Sequence, residues 1–321
     1  MNRYSIIALL AFSMGCEGQN PDQINLEYTG TLEARTNGVI LFENNEQAFA
    51  GMASMACSVS TETGETEIDI DLPGEDDEVL DGEGSPGEGT VVLTSNQSGV
   101  YLLENVFGEL PEAYMYTDDL DNEWNPDYPM VGVQSARLTD KGFVALRSVG
   151  DNCSMEFVDF GGQEDSVLVG SGACEANSPL VVSQDGSRAF VNTNDGLTRV
   201  TVDGSTLLNA KGNRLAWSEG EDTLFVGEQN SAQAAIVNTA GEQVSSVVLP
   251  GPLFDVKPLP NTNQFAITAK NGHRAVFATI DANGNVLSET DIPEVGYVEI
   301  SSDGRQVAFV LPQQVHFFDM F

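Results

Sequence analysis

Short apolar runs separated by polar turns extend over the whole chain. Each run has about four residues, is rich in β-forming side chains and is bounded by Gly, Asn, Asp or Ser. Examples are residues 39–42, 91–93, 143–146, 224–226, 265–267 and 307–310. No window keeps apolar residues at the i, i+3, i+4, i+7 spacing of an amphipathic helix. The pattern therefore predicts an all-β protein built from short strands.

Two sets of turn sequences recur at a regular interval. The first set begins at residues 43, 95, 139, 183, 219, 260 and 301, and a second set follows most of these by about 20 residues. Several of the turns contain Asp-Gly or Asn-Gly, which supply the positive φ that tight hairpins need. A period of about 42 residues with two hairpins per repeat is typical of a β-propeller blade. Seven starting points predict seven four-stranded antiparallel blades.

The two ends of the chain account for closure of this ring. Residues 297–321 leave room for three strands, while residues 26–33 form an additional strand before the first repeat. Closing the ring removes the open edges of the sheets. We therefore expect the N-terminal strand to pair as the outermost strand of the last blade, so that residues 25–321 form a single seven-bladed propeller.

Two of the repeats resemble a known family. Residues 301–309 read Ser-Ser-Asp-Gly-Arg-Gln-Val-Ala-Phe, and residues 183–191 read Ser-Gln-Asp-Gly-Ser-Arg-Ala-Phe-Val. Both resemble the Ser-x-Asp-Gly-Arg-x-x-Ala-Phe repeat of TolB-type, WD40-like propellers of bacterial envelopes. The other repeats are degenerate, and the Trp-Asp pair of true WD40 blades does not occur. The resemblance implies a fold and leaves the activity open.

The N-terminal residues have the pattern of an export signal. Arg3 precedes the apolar run of residues 4–12, and small residues follow before the first acid, Glu17. The apolar run is too short for a permanent membrane span. We predict a signal peptide over residues 1–15.

The end of this signal resembles the lipobox of bacterial lipoproteins. In that motif a cysteine after small residues is diacylated and becomes the new N-terminus, as Gly15 and Cys16 imply here, although Ser13 departs from the usual Leu or Val. We predict a palmitate-bearing lipid on Cys16 and a flexible tether over residues 16–24. The protein would then be attached to a bacterial envelope membrane through its acyl chains. The alternative is ordinary signal cleavage, which gives a soluble secreted protein.

The charge of the chain excludes one class of partner and favours another. The sequence contains 49 acidic and 13 basic residues, which gives a formal net charge of -36. Such a chain repels nucleic acid and anionic surfaces. We therefore expect no nucleic-acid binding, and a basic protein or multivalent cations are the natural partners.

One insertion, residues 72–89, concentrates this acidity. It contains Glu75, Asp76, Asp77 and Glu78 and has no basic residue. Such a run repels itself and stays solvated, so one interpretation is a surface loop without a specific role. The functional interpretation is a segment that docks a basic partner or collects cations. The acids lack the spacing of an EF-hand loop, which argues against a calcium site.

A second candidate contact region is rich in aromatic side chains. Residues 114–129 join the second blade to the third and contain three Tyr, one Trp and five acids. Loops that connect blades tolerate variation while the blades hold them in place, so they are suited to recognition. Trp124 and Tyr128 are the predicted partner contacts. The alternative is an aromatic plug that packs against a blade edge.

Three cysteines remain in the predicted mature body: Cys57, Cys153 and Cys174. An exported chain meets an oxidising environment, and a Cys153–Cys174 bond would close a loop of roughly 20 residues, worth about 3 kcal/mol. We predict this disulfide, with three buried free thiols as the alternative. The sequence has no Cys-x-x-Cys motif and no Cys/His cluster, so we predict no metal site.

No catalytic motif accompanies the two histidines, His273 and His316. The sequence contains no Gly-x-Ser-x-Gly, His-Glu-x-x-His, P-loop or dinucleotide-binding fingerprint. We therefore assign no catalytic residue and no cofactor, and we predict a binding or scaffolding module of the bacterial envelope. The alternative is a propeller enzyme, a hydrolase or oxidoreductase, whose metal or cofactor is held in the central channel by residues from several blades.

Overall fold

β-Strands form all the regular secondary structure in the described part of this computed structural model. The structure describes residues 24–32, 40–42, 47–52, 55–60, 66–71, 92–96, 99–103, 113–116, 133–139 and 141–321 without positions 160–162, 173, 175–178, 184, 194, 219–221 and 302. Between residues 40 and 116 it describes the strands by their backbone. Within these ranges, no helix has the length and hydropathy needed to cross a membrane.

The described strands form seven antiparallel sheets, which we number as blades in chain order. The first blade contains β2 (Ile40–Phe42), β3 (Gln47–Met52), β4 (Met55–Ser60) and β5 (Thr66–Asp71). The second contains β6 (Val92–Asn96), β7 (Gly99–Leu103) and β8 (Ala113–Tyr116). The third contains β9 (Val133–Thr139), β10 (Gly142–Val149), β11 (Asn152–Asp159) and β12 (Glu164–Ser171).

The remaining four blades follow the same order. The fourth contains β13 (Leu180–Val182), β14 (Arg188–Thr193), β15 (Gly196–Thr201) and β16 (Gly204–Leu207). The fifth contains β17 (Arg214–Ser218), β18 (Thr223–Gly227), β19 (Gln233–Asn238) and β20 (Gln243–Val248). The sixth contains β21 (Leu253–Pro258), β22 (Gln264–Asn271), β23 (Arg274–Asp281) and β24 (Val286–Ile292). The seventh contains β25 (Tyr297–Ile300), β26 (Gln306–Leu311), β27 (Gln314–Met320) and, from the other end of the chain, β1 (Leu26–Leu32).

In each blade the strand that begins the repeat lies innermost in a closed ring, and in the last blade this strand is β25. β2, β6, β9, β13, β17, β21 and β25 each contact the corresponding strands of the two neighbouring blades, and the series returns from β25 to β2. The ring of innermost strands surrounds a central channel. The predicted all-β propeller of antiparallel blades is therefore confirmed.

The N-terminal strand closes the ring, as the sequence predicts. β1 pairs antiparallel with β27 and becomes the outermost strand of the last blade. Backbone hydrogen bonds between Asn25 and Phe321, 3.1 Å in both directions, extend this pairing to the last residue. Leu32 is buried, and Ile24 and Leu26 pack against the core between the sixth and seventh blades. The first and last parts of the chain therefore stabilise each other directly.

The hydrophobic core lies between neighbouring blades. In β22, Phe265 and Ile267 pack towards the fifth blade, whereas the intervening Ala266 packs towards the seventh. Successive side chains of a strand point to opposite faces, and both faces of a blade are covered by other blades. Aromatic rings bridge the gaps, as in the edge-on contact of Phe277 with Phe309, whose centroids are 5.6 Å apart. This double burial explains why the apolar runs are continuous and short.

A repeated hydrogen-bond pattern shapes the turn between the first and second strands of a blade. In the last blade, Ser301 Oγ donates to Asp303 Oδ1 over 2.8 Å and accepts the backbone N–H of Gln306 over 2.9 Å. In the fourth blade, Ser183 and Asp185 make the equivalent bond over 2.8 Å. Hydrogen bonds from Ser187 and Ser183 lower the pKa of Asp185 to about 2. The Ser-x-Asp-Gly sequence recurs because it forms this turn.

One predicted boundary is wrong. Residues 114–116, assigned from the sequence to the connector between the second and third blades, belong to β8. Tyr and Met are compatible with a strand. The acids that follow Tyr116 gave the whole segment the composition of a loop, so the strand Ala113–Tyr116 was not recognised in the sequence. The predicted contacts Trp124 and Tyr128 lie outside the described residues.

Candidate functional site

One face of the ring carries the segments that lead into the innermost strands. These connectors, residues 208–213, 249–252 and 293–296, run from the outermost strand of one blade to the innermost strand of the next. They lie beside the turns that join the second and third strands of the blades, which we call 2–3 turns. For example, Leu197 N–H donates to Ala210 O over 3.3 Å, and Lys270 N–H donates to Pro252 O over 3.0 Å. We call this face the channel mouth.

Glycine allows each connector to lie directly on the neighbouring backbone. A Cβ atom on Gly212, Gly251 or Gly296 would lie 2.5 Å from the carbonyl oxygen of Gly227, Lys270 or Val310, respectively. That distance is far below ordinary contact, so a larger residue would displace the connector. These glycines therefore set the position of the connectors that lead into the innermost strands.

A polar cleft opens between the fourth and fifth blades at the channel mouth. Its volume is about 320 Å³, and its lining consists of Asn192, Thr193, Gly196, Lys211, Gly212, Asn213, Glu228 and Gln229. Asn213 Oδ1 accepts the backbone N–H of Gln229 over 2.7 Å, which joins the connector to the 2–3 turn of the fifth blade. Every long side chain that lines this cleft can form hydrogen bonds, so the cleft suits a polar ligand or side chain.

An aromatic and cationic cluster adjoins the cleft. Arg214 Nε donates to the carbonyl oxygen of Phe254 over 2.7 Å, and its guanidinium carbon lies 5.9 Å from the centroid of the Tyr297 ring. The rings of Phe254 and Tyr297 meet at 60° with their centroids 5.1 Å apart. Tyr297 as a residue is 42% exposed. Because its three residues come from three consecutive blades, the tertiary structure alone assembles this cluster, which we call the mouth cluster.

Asp255 contacts Arg214 of the mouth cluster and the backbone of the seventh blade. Its Oδ2 accepts the backbone N–H of Val298 over 3.0 Å, and its Oδ1 lies 3.8 Å from Arg214 Nε. Burial raises the pKa of Asp255, and Lys257 together with the Val298 hydrogen bond opposes the rise. The carboxylate therefore links the fifth, sixth and seventh blades at the level where the channel begins.

Charged side chains line the channel below the mouth. Arg137 on β9 is acted on by the charge of Glu299 on β25. Because these strands belong to the third and seventh blades, which are not neighbours in the ring, the two side chains interact across its interior. Lys257 Nζ and Glu299 Oε1 form an ion pair of 2.6 Å. Arg137 is solvent-exposed although it lies on an innermost strand. The channel therefore brings basic side chains together in a strongly acidic protein.

The two histidines and the acids do not converge on a metal site in the described part of the chain, where no group of three or more His, Cys, Asp or Glu side chains has a suitable arrangement. His316 lies in β27, with Nδ1 2.7 Å from Thr31 Oγ1 of β1. Burial lowers the pKa of His316, opposed by Glu294. His316 therefore acts in ring closure, and His273 is exposed in a 2–3 turn.

The structure places one of the pairs proposed from the sequence. Cys153 and Cys174 form a disulfide, with Cα atoms 4.7 Å apart, between the start of β11 and the connector that leads to β13. The bond lies at the channel mouth, where it ties that connector to its blade. Cys16, the acids Glu75, Asp76, Asp77 and Glu78, and the aromatic residues Trp124 and Tyr128 lie outside the described residues.

Sequence reasoning missed the mouth cluster and the charged channel residues. One signal was accessible: Arg137 and Glu299 each precede the start of a recurring turn, at residues 139 and 301, by two positions. A charge at a fixed position of an innermost strand indicates the channel once the repeat is aligned. The glycine before an innermost strand is a second signal of the same kind. No local pattern joins Arg214 to Phe254 and Tyr297, because these residues are far apart in sequence.

Comparison with known proteins shows the fold. No family model matches the sequence, and no curated protein matches it. Among solved structures, a streptogramin B lyase is similar with a TM-score of 0.64 and 13% identity over 93% of this chain and 98% of the lyase. The mitotic checkpoint complex contains a similar chain, with a TM-score of 0.62 and 13% identity over 99% of both chains.

A third similar structure is the β-propeller domain of Cps50 (Swd1) from Myceliophteria thermophila. Its TM-score is 0.60, with 13% identity over 92% of this chain and 99% of that domain. At such identities the similarity shows the propeller fold alone. Because these neighbours include both an enzyme and a component of a complex, their titles do not select a function.

Proposed function

We propose that the protein is an exported, lipid-anchored β-propeller that acts as a non-catalytic binding or scaffolding module in the bacterial envelope. The mouth cluster carries this proposal. It presents a partly exposed Tyr297 against Phe254 and Arg214, and aromatic residues and arginine are enriched among the side chains that dominate protein contacts. The adjoining polar cleft supplies hydrogen-bonding groups at the rim of the same surface.

Both predicted contact segments precede an innermost strand in the chain. Asp71 ends β5 and Val92 begins the innermost strand β6, so the acidic insert connects the same kinds of strand as the connectors at the channel mouth. The segment with Trp124 and Tyr128 likewise leads into an innermost strand, β9. We infer that both segments extend the recognition surface of the channel mouth, with the acids steering a basic partner and the aromatic side chains contacting it.

The disulfide supports the export step of the proposal. Disulfides persist in oxidising compartments outside the cytoplasm and are rare inside it.

For the anchor, we expect Cys16→Ser to move the protein from the membrane to the soluble fraction and to abolish incorporation of labelled palmitate. Cys57→Ala is the matched control and should stay with the membrane. Soluble wild-type protein without palmitate would show instead that the signal ends in ordinary secretory cleavage.

Affinity capture from envelope extract, followed by kinetics with the captured partner, tests the binding function. Replacing Glu75, Asp76, Asp77 and Glu78 by Gln or Asn should slow association and weaken its dependence on salt, because rim charges act mainly on encounter. Trp124→Ala should instead speed dissociation by about tenfold, the equivalent of 1.4 kcal/mol. The two variants should therefore change different rate constants.

Matched variants make this result specific. Neutralising four exposed acids of the outer strands and turns, Glu164, Asp165, Asp203 and Glu289, changes the net charge by the same amount and should leave the association rate close to that of the wild type. Tyr297→Ala tests the mouth cluster and should also speed dissociation. Wild-type kinetics in all three test variants, at the acidic insert, Trp124 and Tyr297, would show that the partner binds another surface.

A further inference from the structure

Within the described residues, Arg137 forms no ion pair with a carboxylate. It lies on β9, and its side-chain hydrogen bond goes from an Nη atom to the carbonyl oxygen of the preceding residue, Ala136, over 2.9 Å. Glu299, the carboxylate whose charge acts on it, is already paired with Lys257 over 2.6 Å. The guanidinium carries five N–H donors, and the bond to Ala136 uses one of them, so the group has the capacity to bind a further acceptor.

The position of Arg137 combines access to water with enclosure by protein. The side chain is exposed, yet it extends from an innermost strand into the ring. The surrounding protein lowers the pKa of Arg137, while Glu299 opposes this shift. An arginine nevertheless stays ionised at neutral pH, and a charge that is partly withdrawn from bulk water is costly unless it is paired. A ligand in the channel would supply the missing partner.

The charge of the channel differs in sign from that of the whole protein. The sequence contains 13 basic and 49 acidic residues. Among the described residues that line the innermost strands, three are basic, Arg137, Arg214 and Lys257, and two are acidic, Asp255 and Glu299. Since Arg214 and Lys257 each have an acidic neighbour within 4.0 Å, the excess positive charge is that of Arg137.

Lys257 provides a second cation on the opposite side of the channel. β9 belongs to the third blade and β21 to the sixth, and these blades are separated by at least two others in both directions around the ring. Arg137 and Lys257 also occupy the same level, because each follows a buried residue, Ala136 or Val256, at the same position of its strand. An anion between them would meet donors from both sides.

We propose that the central channel is a binding site for a small oxyanion, a carboxylate or phosphate group, with Arg137 as its main donor and Lys257 as the facing cation. The planar guanidinium matches two oxygens of either group in a bidentate arrangement. This site is separate from the partner surface in the proposed function, so an experiment can disprove one of the two proposals and leave the other standing. The channel mouth, with Arg214 and the polar cleft, leads to it.

Isothermal titration of the full chain with inorganic phosphate and with succinate tests this proposal, each against sodium chloride at the same ionic strength and pH. The matched chloride controls for general screening of a protein with this net charge. We expect saturable binding of phosphate, of succinate or of both, and the comparison identifies which oxyanion fits. Absence of binding by both would overturn the proposal.

Arginine variants identify the donor. Arg137→Gln should weaken binding at least tenfold, whereas Arg137→Lys, which keeps the charge and loses the planar fork, should weaken it less. Arg274→Gln changes the net charge equally at an exposed pair with Asp291 on the outer strand β24 and should bind as the wild type does. Circular dichroism checks that each variant is folded. Equal binding by Arg137→Gln and the wild type, or equal weakening by Arg274→Gln, would overturn the assignment of Arg137.

Discussion

Deletion of residues 25–34 is expected to abolish the folded state, because β1 is the outermost strand of the last blade. The deletion removes the pairing with β27 and the buried side chain of Leu32, and it also removes Leu26, which covers the core between the last two blades. Each buried Leu contributes about 1.5–3 kcal/mol, and the net stability of a domain is about 5–15 kcal/mol. The exposed edge of β27 would also promote aggregation.

Deletion of residues 17–23 is the matched control and should leave the unfolding transition unchanged. Soluble yield, far-ultraviolet circular dichroism and urea unfolding compare the two deletions. Addition of a synthetic peptide with residues 24–34 should restore the fold of the longer deletion, because the strand can pair in trans. Equal tolerance of both deletions would contradict the closure of the ring by β1.

Removal of the Cys153–Cys174 disulfide is expected to have the second largest effect. The two cysteines are separated by 21 positions, and closing a loop of this size in the unfolded chain is worth about 3 kcal/mol. Cys153 is buried in the core between the third and fourth blades, and Cys174 packs against it. The double variant Cys153→Ala/Cys174→Ala should therefore unfold at a lower urea concentration.

Cys57→Ala is the control for this experiment and should unfold at the wild-type urea concentration when no reductant is present, because it keeps the Cys153–Cys174 bond. Reductant should shift the wild type and Cys57→Ala to the midpoint of the double variant, and it should leave the double variant where it is. Thiol titration of the unfolded chain from residue 24 onward should find one thiol without reductant and three with it. Three thiols before reduction would show that the bond is absent from the protein.

Much of the fold could be predicted because its determinants are local. Asp303-Gly304 and the equivalent Asp185-Gly186 form tight turns through hydrogen bonds within five residues. Turns of this kind recur along the sequence, and the whole series of their positions predicts the number of repeats. The extra N-terminal strand could be assigned to the last blade by counting strands, since an antiparallel ring leaves one position open. The end of β8 was misplaced because Tyr116 is followed by acids that gave the whole segment the composition of a loop.

The candidate site was harder to predict because its residues meet only through the ring. Arg214, Phe254 and Tyr297 follow one another in the sequence at intervals of about 40 residues, and each lies near the start of a different innermost strand. The polar cleft likewise combines a connector with two 2–3 turns. The sequence analysis selected the acidic insert and the aromatic connector as contact regions instead, because an unusual composition can be recognised within a single segment of the chain.

The sequence by itself determined the strand periodicity, the turns, the number of repeats and the strand that closes the ring, because hydrogen bonds and apolar alternation act over a few residues. Only the tertiary structure decided which charges share the channel. Arg137 and Lys257 are ordinary basic residues in the sequence, and their strands enter the same ring only because the innermost strands of the blades meet around one axis. Among the described residues of the innermost strands, Arg214 and Lys257 each lie within 4.0 Å of a carboxylate from another blade, whereas Arg137 forms a hydrogen bond to a backbone carbonyl oxygen.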